Sequence, residues 1–273
     1  MTAWTTIDGM RLRHLDVPAS TGAADALPLL IIPGHTARIE GYLDLVDRLR
    51  GRHRVLVVDL PGSGESAKPE RRYDLRLYED VLVAHLDRLG IDQAIPVGGS
   101  LGGNLVLRLG HRFPARFPRL VLWAPGSAWS PKPALAATTD RLLAGTALGR
   151  RLFWPSVRIQ SRFWYDADFE HRRAHLDDTF RYYRRVMSPG FVQMYWGLAA
   201  DQLRRSLFEL APEIAQPTLL MWGDRDHGAN MGAGVARLHE LLPNSRLHVF
   251  PGRRHSLEAE CPDELAEQIL TGC

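Results

Sequence analysis

Cysteine is nearly missing from this chain of 273 residues: it occurs only at Cys261 and at the final position, Cys273. The two form no C-x-x-C pair, so neither a disulfide framework nor a thiolate metal site is expected, and no metal or organic cofactor is implied. A reducing compartment suits such a chain. Lysine is equally scarce, at Lys68 and Lys132 alone, and arginine carries nearly all of the positive charge. No run reaches the roughly 18 uninterrupted apolar residues of a membrane span, and residues 1–9 have no basic stretch leading into an apolar core. The expectation is a soluble, cytoplasmic protein with no membrane partner. The net charge is only +3 at a pI near 9.1. The arginines are scattered in pairs rather than gathered in one tract, which argues against a nucleic-acid partner.

What is present is an alternation of strand and helix signals. Residues 4–7 and 11–16 read as a hairpin through the turn pair Asp8-Gly9. Residues 29–32 and 55–59 are continuous apolar runs of the kind that strands buried on both faces show. Between them Ile39, Tyr42, Leu43, Val46 and Leu49 fall at helical spacing. A second helical face (Tyr78, Val81, Leu82, His85, Leu86, Leu89) precedes a strand at 95–98 and a helix from Leu101 to Leu109. Further strands follow at 120–123, 218–222 and 246–250, with a helix ending near Leu242 and another starting near Pro262. The pattern predicts an α/β fold, with a doubly wound, mostly parallel sheet of eight strands. Residues 126–216 break the alternation: they carry helical periodicity, as at Phe169, Leu176, Phe180, Tyr183 and Met187, and no convincing strand. The expected organisation is a core of 1–125 and 217–273 with a helical insertion at 126–216, two of its helices separated at Ser188-Pro189-Gly190. Its aromatics (Trp129, Phe153, Trp154, Phe163, Trp164, Tyr195, Trp196) suit core packing more than ligand contact, and the pairs Arg172-Arg173 and Arg184-Arg185 suit a solvated face.

The chemistry centres on residues 96–104, Pro-Val-Gly-Gly-Ser-Leu-Gly-Gly-Asn. Gly98 to Gly102 fits G-x-S-x-G, in which a serine on a sharp strand-to-helix turn needs glycine two residues to either side. Ser63 and Ser66 lack that pair of glycines, so Ser100 is the candidate nucleophile. A serine of this kind needs a histidine to take its proton and a carboxylate to orient the histidine. His255, in the loop after the last strand, lies where a strand end could bring it to Ser100; His227 is its rival. His248 falls inside a strand, His111 late in a helix, and His171 and His175 in the insertion. In the loop after the penultimate strand Asp226 is preferred over Asp224, for which a turn role is expected.

With these residues in order Ser100, Asp226, His255, the chain resembles the α/β-hydrolase fold superfamily. The run Asp59-Leu-Pro-Gly-Ser-Gly-Glu-Ser66 is similar to that family's D-x-P-G-x-G-x-S loop, and Trp222-Gly-Asp-Arg-Asp226 to its W-G-x-x-D loop. The resemblance spans nearly the whole chain, with the insertion as its cap. It implies a serine hydrolase whose developing oxyanion rests on the backbone N–H of Leu101 and on a second amide from the loop after Ile32. The family usually has His-Gly there and this chain has Pro33-Gly34-His35, which makes His35 the second donor. The glycines at 62 and 64 superficially copy a dinucleotide fingerprint, but Lys68-Pro69 interrupts the helix that a fingerprint requires. A serine at the elbow argues against dehalogenases and epoxide hydrolases, which carry aspartate there. The leading expectation is hydrolysis of a small-molecule carboxylic ester. Lactone, thioester and C–C bond hydrolysis and aminopeptidase activity are alternatives on the same fold, although C–C hydrolases usually have asparagine where this chain has Gly99, and proline iminopeptidases tryptophan where it has Leu101. A noncatalytic ligand-binding receptor is the alternative outside enzymology.

Overall fold

A segment that reads Leu-Leu-Ile-Ile or Val-Leu-Val-Val has no polar face to offer water, so it must be covered on both sides. The computed structural model, which describes residues 2–21, 26–227 and 231–273, satisfies this with helices on both faces of one sheet. Its strands are β1 (Thr2–Ile7), β2 (Met10–Val17), β3 (Leu29–Ile32), β4 (Val55–Val58), β5 (Ile95–Gly99), β6 (Leu120–Trp123), β7 (Thr218–Gly223) and β8 (Ser245–Phe250). The spatial order is β1-β2-β4-β3-β5-β6-β7-β8. β1 and β2 join antiparallel, and β3 to β8 are mutually parallel. At the hairpin turn Asp8 and Gly9 take φ of 48° and 75°, the left-handed pair that a two-residue turn requires. Strand and helix limits differ from the sequence expectation by a few residues, where ends fray.

The helices are α1 (Leu43–Leu49), α2 (Leu75–Arg88), α3 (Leu101–Arg112), α4 (Pro133–Leu143), α5 (Ala147–Gln160), α6 (Arg172–Val186), α7 (Pro189–Arg204), α8 (Met231–Leu241), α9 (Leu257–Glu260) and α10 (Pro262–Gly272). Helices α4 to α7 all fall between β6 and β7, and among the described residues no strand is found there. The periodic run expected over 169–187 is helical only from Arg172 to Val186. Ser188 caps the next helix, its hydroxyl accepting the Phe191 N–H at 3.2 Å.

Chain order positions the site. From β3 the chain moves to β4 on one side and later to β5 on the other, so the loops leaving β3 and β5 diverge and open a crevice at the strands' carboxyl ends. Asp59, at the end of β4, braces one wall of it. Its Oδ2 accepts Arg13 Nε–H at 2.6 Å and the Glu65 N–H at 2.8 Å, and its Oδ1 accepts the Ile39 N–H at 2.8 Å. Ser66 closes the brace by donating to the Asp59 carbonyl at 2.6 Å. The glycine-rich loop is thus a structural clamp, and it runs on as loop until Leu75 rather than into a helix.

The inserted helices dock over the crevice. Tyr183 Oη meets Thr36 Oγ1 at 2.6 Å, Tyr182 Oη accepts the Gly64 N–H at 2.5 Å, and Arg38 pairs with Asp178 at 2.5 Å. Below them one continuous apolar core runs from Leu12 in β2 through the strands to Phe191 and Tyr195 in α7. No helix among the described residues is long and apolar enough to cross a membrane.

Candidate active site

Ser100 sits between β5 and α3 with φ 56° and ψ −118°, a left-handed conformation that costs any residue with a side chain and therefore needs outside support. The support is a set of main-chain bonds. The Ser100 N–H donates to the Trp123 carbonyl at 3.1 Å, and its own carbonyl accepts the N–H of Asn104 at 3.0 Å and of Gly126 at 2.9 Å. The flanking glycines are demanded by crowding: a Cβ on Gly102 would run into the Ile32 carbonyl oxygen, and one on Gly98 would lie 2.7 Å from the Gly102 carbonyl carbon. The turn pushes the serine side chain out of the sheet and over the crevice.

From the loops after β8 and β7 the structure brings His255 and Asp226 together, with His255 Nδ1 2.7 Å from Asp226 Oδ2. An ionised carboxylate only accepts, so Nδ1 carries the proton and the Nε2 lone pair is left for another partner. Burial opposes a charge on His255. The charges of Asp226 and, beyond it, Glu258 outweigh that and hold the imidazole above the usual histidine range. Ser100, Asp226 and His255 line one cavity of about 980 Å³. Among the described residues no hydrogen bond links the Ser100 hydroxyl to the His255 ring; such contacts commonly tighten only when substrate is bound. Asp224 is set apart, accepting the Gly252 N–H at 2.7 Å in the turn after β8, and His227 is exposed.

The loop after β3 lies against Ser100, with a Cβ on Gly34 coming within 3.6 Å of Ser100 Cβ. Its shape is set by two tyrosines: the Gly34 N–H donates to Tyr42 Oη at 2.9 Å, and Thr36, at φ 63°, is held by Tyr183. That leaves the His35 amide next in line. Neither it nor the Leu101 amide, first in α3, is taken up by a hydrogen bond among the described residues. The His35 ring stacks on Tyr195, centroids 5.1 Å apart, and burial pushes its pKa down to about 4, so it stays neutral. The Leu101 amide opens the N-terminus of the 12-residue α3, where the helix dipole favours negative charge, and the His35 amide belongs to the loop after β3.

The insertion's aromatics divide. Trp129, Phe163, Trp164 and Tyr195 line the cavity, whereas Phe153, Trp154 and Trp196 do not. Phe153 packs edge-on against Tyr183, Phe191 and Tyr195. Of the paired arginines, Arg185 joins exposed Glu65 at 2.6 Å, and the cavity wall instead includes Arg38 and Arg181. Sequence reasoning missed Glu258, whose carboxylate shares the cavity with His255, and Tyr42, which shapes the loop after β3. The one signal for Glu258 was an acidic residue three positions beyond the histidine. No group of three or more potential metal ligands occurs among the described residues.

Comparison with known proteins agrees with this architecture. A 2-hydroxy-6-oxononadienedioate/2-hydroxy-6-oxononatrienedioate hydrolase from Burkholderia vietnamiensis is 29% identical, covering 96% of this chain and 91% of that protein. Haloalkane dehalogenase 2 from Mycobacterium tuberculosis is 26% identical, over 89% of this chain and 86% of its own. The crystal structure of the enol-lactonase from Burkholderia xenovorans superposes with a TM-score of 0.81 at 19% identity, covering 98% of both chains. The family model for the alpha/beta hydrolase fold matches residues 28–258, and the chain belongs to that family.

Proposed function

We propose that the protein is a serine hydrolase that cleaves a carboxylic ester through an acyl-enzyme. The observation that carries this reading is the 2.7 Å pairing of His255 Nδ1 with Asp226 on the wall of the cavity into which the Ser100 elbow opens. His255 Nε2 takes the proton of Ser100 Oγ as the oxygen attacks the ester carbonyl. The oxyanion rests on the amides of Leu101 and His35, each such donor contributing about 3 to 4 kcal/mol to the transition state. Imidazolium, stabilised by Asp226, then protonates the leaving alcohol, and water activated by the same histidine resolves the acyl-enzyme. Residues 126–216 act as a cap over a core of 1–125 and 217–273. Free thiols at Cys261 and Cys273 fit a cytoplasmic location.

C–C bond hydrolysis is the second reading, favoured by the likeness to the Burkholderia vietnamiensis hydrolase. Gly99, where that subgroup usually has asparagine, counts against it. Serine at position 100 sets the chain apart from dehalogenases, which carry aspartate at the elbow. Turnover of a panel of p-nitrophenyl esters, lactones, thioesters, aminoacyl amides and a ring-cleavage diketone separates these readings. Activity is expected on esters, and Ser100→Ala should lower it by about 10⁴ or more. Retained activity in that variant, or no labelling of Ser100 by a fluorophosphonate, overturns the serine mechanism and favours a binding protein.

A further inference from the structure

Six of the ten exposed large hydrophobic side chains among the described residues fall between positions 135 and 163. Leu148, Leu152 and Ile159 lie within roughly 40° of one another around α5, at about 100° per residue, and form a stripe along its outer face. Ile159 is 57% exposed and Leu148 45%. Phe163, just beyond the helix and also 45% exposed, carries the stripe to the cavity, which it lines with Gln160 and Trp164. Helix α4, packed beside α5, exposes Leu135 and Leu142 as well.

The charge around this stripe has one sign. From Arg141 to Tyr165 the chain contains five arginines (141, 150, 151, 158 and 162) and no carboxylate. All five are exposed, and none takes part in an ion pair among the described residues. The flanking acids are turned elsewhere: Asp140 faces Arg204, while Asp166 faces Arg225 and Arg254. At about 100° per residue Arg151 and Arg158 flank the stripe on one side of α5, whereas Arg150 falls on the opposite side, so a partner that covers the stripe and meets the flanking guanidiniums must offer both anions and an apolar phase.

We infer that the outer face of α5 docks on an anionic lipid surface, with the leucines and Ile159 entering the acyl boundary and the arginines meeting phospholipid headgroups. A helix with this division of its faces lies flat in a bilayer interface, and arginines beside it gain from the negative surface potential. A second copy of the chain is a poor occupant, because a two-fold contact would set this arginine cluster against itself. Nucleic acid would satisfy the arginines and leave the apolar stripe in water. Docked in this way, the face presents the Phe163 edge of the cavity to the lipid.

Flotation with vesicles tests the inference on the intact chain. Binding is expected to phosphatidylcholine vesicles that carry phosphatidylglycerol, to weaken with added salt, and to be slight on phosphatidylcholine alone. Arg151→Glu with Arg158→Glu should lower partitioning by about tenfold or more, and Leu148→Ser with Ile159→Ser should abolish it. These sites are exposed, so unfolding temperatures should stay near that of the parent. The proposal is overturned if anionic vesicles do not bind, if both pairs of substitutions leave binding unchanged, or if the parent is a dimer that Leu148→Ser with Ile159→Ser converts to monomer. Binding is read without turnover, so its outcome is separate from that of the serine assays.

Discussion

Trp123 Nε1 donates a 3.0 Å hydrogen bond to Glu258 Oε2, and the indole occupies the space that Gly99 leaves open beside Ser100. A Cβ at position 99 would clash with the indole nitrogen. The residue before the serine, the tryptophan ending β6 and the carboxylate beyond the histidine therefore form one unit. Gly99→Ala should force the indole away and destabilise the fold by about 1 to 3 kcal/mol, the usual cost of overpacking a buried contact. Urea unfolding checks this; an unchanged midpoint would show that the indole has room to move.

Glu258 also bears on the pH dependence. On the proposed serine mechanism His255 acts as a base and must be neutral, so kcat/KM should rise with pH through the imidazole's raised pKa. After burial and Asp226, the Glu258 charge is the next influence on that pKa, and it favours imidazolium. Glu258→Gln removes the charge while keeping an acceptor for Trp123, so the acidic limb should move to lower pH. A limb that stays in place, or moves up, would mean that the Glu258 charge is not felt at His255. Burial raises the pKa of Glu258 as well, so the difference between parent and variant should shrink as pH falls and the carboxyl gains its proton.

The two aspartates of the β7 loop should separate cleanly. Asp226→Asn leaves a hydrogen-bonding group beside His255 but favours the wrong tautomer and loses the charge, so kcat should fall by about 10⁴. Asp224 ties down the Gly252 amide in a turn 28 positions away in sequence, so Asp224→Asn should cost about 1 kcal/mol of stability and little turnover. Steady-state kinetics with an ester substrate distinguish them, and comparable losses in both would remove the special role of Asp226.

The sheet was legible in the sequence because its strands are short apolar runs bounded by turn residues, and the elbow because two glycines are fixed by contact with the Ile32 and Gly102 carbonyls. Asp226 and His255 could be placed from the loops that carry them. Glu258 could not: its meaning depends on Trp123 reaching across from another strand, a relation 135 positions apart that no local pattern encodes. The split among the insertion's aromatics was equally hidden. Helical spacing assigns Tyr195 and Phe153 to buried faces alike, and only the packing of α5, α6 and α7 over the crevice decides which ring borders a cavity.

Thr36 ties that packing to the chemistry. A β-branched residue at φ 63° costs about 1 to 3 kcal/mol and keeps this shape only under outside restraint. The Tyr183 hydroxyl, 2.6 Å from Thr36 Oγ1, is one such restraint, and it arrives from α6 of the insertion. On the proposed serine mechanism, with His35 as an oxyanion donor, Tyr183→Phe should free Thr36 to relax and draw the adjacent His35 amide out of line. The loss should fall mainly on kcat, by about tenfold to a hundredfold, since a misplaced oxyanion donor forfeits only part of its contribution. Glycine adopts a positive φ without the penalty, so Thr36→Gly added to Tyr183→Phe should recover much of that loss. If the double variant is no better than Tyr183→Phe alone, the tyrosine acts through the cavity wall and not through the loop.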